Sequence, residues 1–161
     1  MQQSTPAGKI IAILFVVIIV PFAIYAFWHQ VKNNSTELDQ VKQQIIEPYR
    51  NALQQEQWEF SYQSFTTKDY RERVSLEEFI KAQQENKEAF GTVKNIYTNV
   101  DILNELSDPS SGTFYRVTVT YEASKDNKLV VLELKKEQGK FKIDRTYLAI
   151  VGADLLQEQI F

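Results

Sequence analysis

The chain has 161 residues, a net charge of −3, no cysteine and a single histidine, His29. Without cysteine there are no disulfides, thiolate metal sites or cysteine nucleophiles, and one histidine beside an apolar run excludes histidine-based triads and zinc sites. All 21 acidic residues lie beyond Thr36, with all of the 18 basic ones except Lys9 and Lys32, a balance of −5 that argues against nucleic acid and broad adhesion to anionic lipid.

The first element is KIIAILFVVIIVPFAIYAFWHQVK, in which residues 10–28 are uncharged and mostly apolar. A helix rises about 1.5 Å per residue and a bilayer core is about 30 Å thick, so this run is long enough to span. A secretory signal is shorter and ends at a small-x-small site; Ala23 and Ala26 are one residue too far apart, and Phe27 and Trp28 are bulky. A retained transmembrane helix is therefore expected, with Tyr25 and Trp28 in the headgroup layer. Pro21 inside it removes one backbone donor, so the carbonyl it frees is a candidate partner contact. The expected layout is an N-terminal tail 1–9, a span 10–28, a linker 29–35, a domain 36–151 and a C-terminal tail 152–161. About 130 residues suit one domain with one core.

Past the linker, Asn34 and Glu37 mark a helix start, and Leu38, Val41, Ile45, Tyr49 and Leu53 follow at helical spacing, with a kink or restart at Pro48. WEFSYQSF places Trp58, Tyr62 and Phe65 on one face of a short second helix. A third helix starts with the capping box of Ser75 and Glu78, with Val74 and Phe79 as a hydrophobic staple, and ends at Gly91. Its buried stripe is Leu76, Phe79, Ile80, Gln83 and Phe90.

From Thr92 the period becomes two. A first strand runs through Ile96, Val100 and Ile102, and NELSDPSSG reads as a loop. In the second strand Tyr115, Val117, Val119 and Tyr121 share one face, and two antiparallel hairpins follow through LVVLELKK and FKIDRTYLAIV. Helices followed by a meander of four strands define an α+β layout, with the helices on one sheet face.

The element order and the stretch SLEEFIKAQQENKEAFGTVKNIY resemble the nuclear transport factor 2-like superfamily over about residues 36–151. A second likeness is to the single-pass assembly subunit of type IV secretion machines, although its internal signature turns are absent. The resemblance implies a bent four-stranded antiparallel sheet wrapped around three helices, with a cone-shaped cavity. Tyr49, Trp58, Tyr62, Phe79, Tyr121 and Tyr147 are its lining candidates; a filled aromatic core competes with an open pocket for small hydrophobic ligands.

An isomerase-like enzyme on this fold needs an inward carboxylate. Asp101, Glu122 and Asp144 alternate with apolar neighbours, but strand parity points each to solvent, and Asp101 is the polar candidate that stays open. No catalytic residue, cofactor or metal is expected. Arg116 with Glu122, or Arg145 with Asp144, are possible polar contact pairs on the sheet. Leu155, Leu156, Ile160 and Phe161 make the tail a partner-contact candidate or a segment that folds back. The function expected is that of a non-enzymatic, membrane-held accessory or assembly component, with its domain outside the cytoplasm and envelope proteins as partners.

Overall fold

The computed structural model describes residues 36–98, 103–109, 112–149 and 156–160. The expected span at 10–28, with Pro21, lies outside them, as do Asp101, Leu155 and Phe161; of Leu156 only the backbone is described. No helix among the described residues is long and apolar enough to cross a membrane. The chain divides into two compact units, Met1–Thr36 and Glu37–Phe161, and the second is described below.

The domain is α+β. Helical residues 36–41 (α1) run into a π turn at Lys42–Ile46 and on into α2 (Glu47–Gln54). The Glu47 N–H reaches back to the Lys42 carbonyl, so the looser turn takes up the interruption expected at Pro48, whose ring lacks a donor. Leu38, Val41, Ile45, Tyr49 and Leu53 are all buried along this helical run, as their spacing requires.

Next come α3 (Trp58–Phe65), α4 (Lys68–Arg73) and α5 (Leu76–Phe90). The capping box is complete: the Ser75 hydroxyl accepts from Glu78 N, and the Glu78 carboxylate accepts from Ser75 N at 2.8 Å. Val74, placed for the staple, packs against the cluster that contains Phe79. Helix α4 has no counterpart in the sequence reading. Its KDYRER carries one apolar residue, Tyr70, too few to show a period, and it forms because the Thr67 hydroxyl caps Tyr70 N.

The strands are β1 (Val93–Thr98), β2 (Asn104–Asp108), β3 (Gly112–Ala123), β4 (Lys128–Glu137), β5 (Lys140–Ala149) and β6 (Leu156–Glu158), all antiparallel in one sheet. There are five positions across the sheet, because β1 and β2 both lie along the β3 edge opposite β4. The described sheet thus extends the four-stranded meander by two short strands. NELSD is β2 rather than loop: its polar side chains suit an edge strand and hid it from a hydrophobic pattern. The described part of the tail supplies β6, paired to Tyr147, Leu148 and Ala149, so it folds back on the domain, one of the two readings of its sequence.

The alternation in β3 holds, with Tyr115, Val117, Val119 and Tyr121 buried beneath the helices. The β4–β5 turn has Gln138 and Gly139 at φ 52° and 78°, the paired positive values of a two-residue hairpin loop. Strand β5 breaks its own parity. Glu133 pairs with Arg145 but Leu134 with Ile143, so Asp144 is the extra residue of a bulge, and it is buried instead of facing solvent.

Candidate functional site

The interior candidates are packed, not open. Tyr49 and Phe79 are 2 % and 0 % exposed, and Tyr62 and Tyr121 are buried with them. Tyr49 meets Phe65 edge-on at 5.7 Å, while Tyr62, Tyr70 and Phe79 form a second cluster with ring separations of 5.5 to 6.4 Å. Such contacts fill space and add to burial. The Tyr62 hydroxyl is also committed, donating to the Val74 carbonyl at 2.7 Å.

Burial raises the pKa of Tyr49, Tyr70 and Tyr121 well above the usual tyrosine range, and Tyr70 adds to the shift of the other two, as Tyr121 does to that of Tyr49. The three phenols therefore stay neutral.

A cavity of about 50 Å³ remains at one end of the sheet. Leu53, Trp58, Phe90 and Val93 form its apolar wall, with buried Gln83 and Tyr121 inside and Glu56, Lys87 and Lys128 at the exposed side. Of the six lining candidates it takes only Trp58 and Tyr121. It holds a few water molecules or one small group, against about 300–1,000 Å³ for a drug-sized pocket. The Gln83 Nε2 is buried with no hydrogen-bond partner among the described residues, so a donor is presented to this space. Periodicity had placed Gln83 in the buried stripe but could not show it to be unpaired. Lys87 and Glu56 are paired across the outside at 2.7 Å, and Lys128 lies over the Phe90 ring at 4.4 Å.

Two buried carboxylates were missed. Asp144 has a side chain only 2 % exposed; Lys135 lies at 3.1 Å, Arg73 at 3.7 Å, and the Thr67 hydroxyl donates to it at 2.7 Å. Glu133 accepts from Arg116 Nε at 3.1 Å and Nη2 at 3.0 Å. Each acid is thus paired with cations, as buried carboxylates require. Arg116 thus pairs with Glu133 rather than Glu122, while Arg145 stands 4.0 Å from both Glu133 and Asp144.

On the sheet face away from the helices, the Arg116 guanidinium lies over Phe114 at 5.2 Å and Tyr147 at 5.9 Å. The register puts Leu106 opposite Phe114 and Tyr97 opposite Thr120 on this face, and they are 37 % and 43 % exposed. Tyr147, a lining candidate, therefore belongs to the outer face. Ile160 packs beside the Tyr62–Tyr70–Phe79 cluster, its carbonyl accepting from Asn86 at 2.9 Å. Comparison with protein families, curated proteins and solved structures yields no match.

Proposed function

We propose that this chain is a non-enzymatic, single-pass membrane protein whose nuclear transport factor 2-like domain lies outside the cytoplasm and works by contact, as an accessory or assembly component of an envelope complex. The observation that carries this reading is the outer sheet face, where Arg116, stacked between Phe114 and Tyr147, is flanked by exposed Leu106 and Tyr97. Aromatic residues and arginine are what protein interfaces concentrate. The part-exposed side chains of Arg116 and Arg145 favour a partner that presents carboxylates, since Glu133, between them in the register, is buried. The ion pairing of both buried acids supports a non-catalytic role. The order of helices before an antiparallel meander supports the superfamily resemblance.

The test is co-purification of the full chain after mild detergent extraction. Tyr97→Glu changes an exposed position without uncovering Glu133, and we expect it to remove the co-purifying partner while leaving the fold intact; a wild-type chain that runs alone would overturn the reading.

A second reading, a binder of small, largely apolar molecules, is favoured by the unpaired Gln83 donor beside the cavity. Native mass spectrometry that finds a retained compound in wild type and not in Gln83→Leu supports it.

A further inference from the structure

The edges of the sheet are covered unevenly. Along β5, the Thr67 N–H donates to the Ile143 carbonyl at 2.9 Å, Arg73 to the Asp144 carbonyl at 2.6 Å and the Gln159 N–H to the Thr146 carbonyl at 2.9 Å, and β6 pairs with Tyr147, Leu148 and Ala149. On the opposite side α2 lies against β1, where Gln54 donates to the Lys94 carbonyl at 2.6 Å. Strand β2 differs. Among the described residues its only strand partner is β3, and Asn104, Glu105, Leu106 and Ser107 are all exposed. An edge strand turns alternate backbone donors and acceptors away from its neighbour, which makes it a template for another strand. Leu106, 37 % exposed, stands at its middle.

We infer that two copies of this chain pair through β2, antiparallel about a two-fold axis at Leu106, so that their sheets join. This dimer depends neither on an anchor nor on the outer-face contact proposed above. The stretch NELSD is complementary to itself in that arrangement. Asn104 stands opposite Asp108 of the second copy, Glu105 opposite its Ser107, and Leu106 opposite its own counterpart. Each acid thus meets a neutral group that can donate a hydrogen bond, as a self-complementary contact requires. Other registers fit worse. A slip of one residue in either direction takes Leu106 off its counterpart, and in one of them Glu105 faces Asp108. A parallel, in-register pairing sets each acid against its own copy.

The register within the domain matches a second copy as well. Leu106 lies opposite Phe114 of β3, so pairing places the two leucines side by side with a phenylalanine behind each. Asn104, Arg116, Glu133 and Arg145 form one row across β2, β3, β4 and β5. Pairing extends that row with Asp108 of the second copy, an acid on the side of the cationic Arg116. Apolar surface and charge therefore both agree with self-association. With five residues a side, the contact is well below the roughly 800 Å² per partner of a standard interface, so the dimer is reversible and is best read by trapping it.

Because the chain has no cysteine, single thiols can be placed without background. Residues directly opposite in an antiparallel pair have Cα atoms about 4.5–5.5 Å apart, within disulfide reach. The test oxidises full chains carrying Leu106→Cys in mild detergent, with circular dichroism to check the fold. Lys81→Cys on α5, where the side chain is 75 % exposed, gives the rate of random collision. We expect Leu106→Cys to form a disulfide dimer at least about ten-fold faster, because pairing raises the effective concentration of the two thiols. A mixture of Glu105→Cys and Ser107→Cys chains should form the mixed disulfide in preference to either homodimer. Equal rates for Leu106→Cys and Lys81→Cys overturn the dimer. A mixed disulfide no commoner than chance, with Leu106→Cys still fast, overturns the antiparallel β2 pairing.

Discussion

The Thr67 hydroxyl donates to the Asp144 carboxylate at 2.7 Å and accepts the Tyr70 backbone N–H at 3.0 Å. One oxygen thus ties the start of α4 to the bulge in β5. Arg73, at the other end of α4, closes the arrangement by donating to the Asp144 carbonyl at 2.6 Å and pairing with Glu158 of β6 at 3.0 Å. Helix α4 has little apolar surface of its own, so its placement depends on this buried polar junction. Removing Asp144 would leave Lys135, its nearest cation, without its buried partner. We expect Asp144→Ala to destabilise the domain by about 3 kcal/mol in urea unfolding, whereas Lys68→Ala, at a pair with side chains 78 % and 64 % exposed, should cost less than about 0.5 kcal/mol.

The α5 cap should show in acid. Hydrogen bonds from Ser75 hold the Glu78 carboxyl below its usual value of 4.5. Because the folded pKa is lowered, the stabilisation is present above the unfolded pKa and is lost as pH falls through the folded one. In Glu78→Gln that pH-dependent part should disappear, whereas Ser75→Ala, which keeps the donating backbone N–H, should only reduce it; unfolding midpoints across pH read both.

Alkaline titration reports on the packed interior. Tyr49, Tyr70 and Tyr121 all have folded pKa values raised from the usual 10.0 by burial. Their contribution is fully present below pH 10 and is lost as pH rises through the folded values, because the unfolded phenols ionise first. We expect tyrosinate absorbance to rise in two stages, the second coinciding with loss of helical circular dichroism. A single stage complete before unfolding would show that the interior is open to solvent.

At the cavity, Gly91 is at φ 90°, and a Cβ there would collide with the Ser124 hydroxyl and crowd the Lys125 backbone. Gly91→Ala should therefore cost more than about 1 kcal/mol. Gln83→Met removes the unpaired buried donor at similar volume, so it should stabilise the ligand-free domain by about 1 kcal/mol in the same assay. A loss of stability instead would mean that the donor has a bound partner in solution.

The sequence carried those parts of the fold that repeat. Leu38 to Leu53 at helical spacing, the Ser75–Glu78 box and the alternation of Tyr115 to Tyr121 each state a local rule that the structure follows. What it hid depends on partners distant along the chain. Asp144 reads as a solvent-facing strand residue until the bulge opposite Glu133 turns it inward. Helix α4 and strands β2 and β6 are short and held by contacts with β5 or β3, so no window of sequence displays them. Tyr147 looked like a cavity wall for the same reason: the bulge also changes the parity of every residue after it. The Arg116 stack needed the β3–β4–β5 register, because Phe114, Glu133 and Tyr147 come from three strands.

The central claim is that the outer sheet face is the working surface of a contact module. Its most direct measurement is site-specific photocrosslinking of the full chain in its native membrane, with the crosslinker placed at Tyr97 and, as a control, at Phe60 on α3, which is 52 % exposed. We expect a discrete adduct with one protein at Tyr97, weakened by charge reversal at Arg145, and none at Phe60. Equal, diffuse labelling at both positions, unchanged by Arg145→Glu, would contradict it.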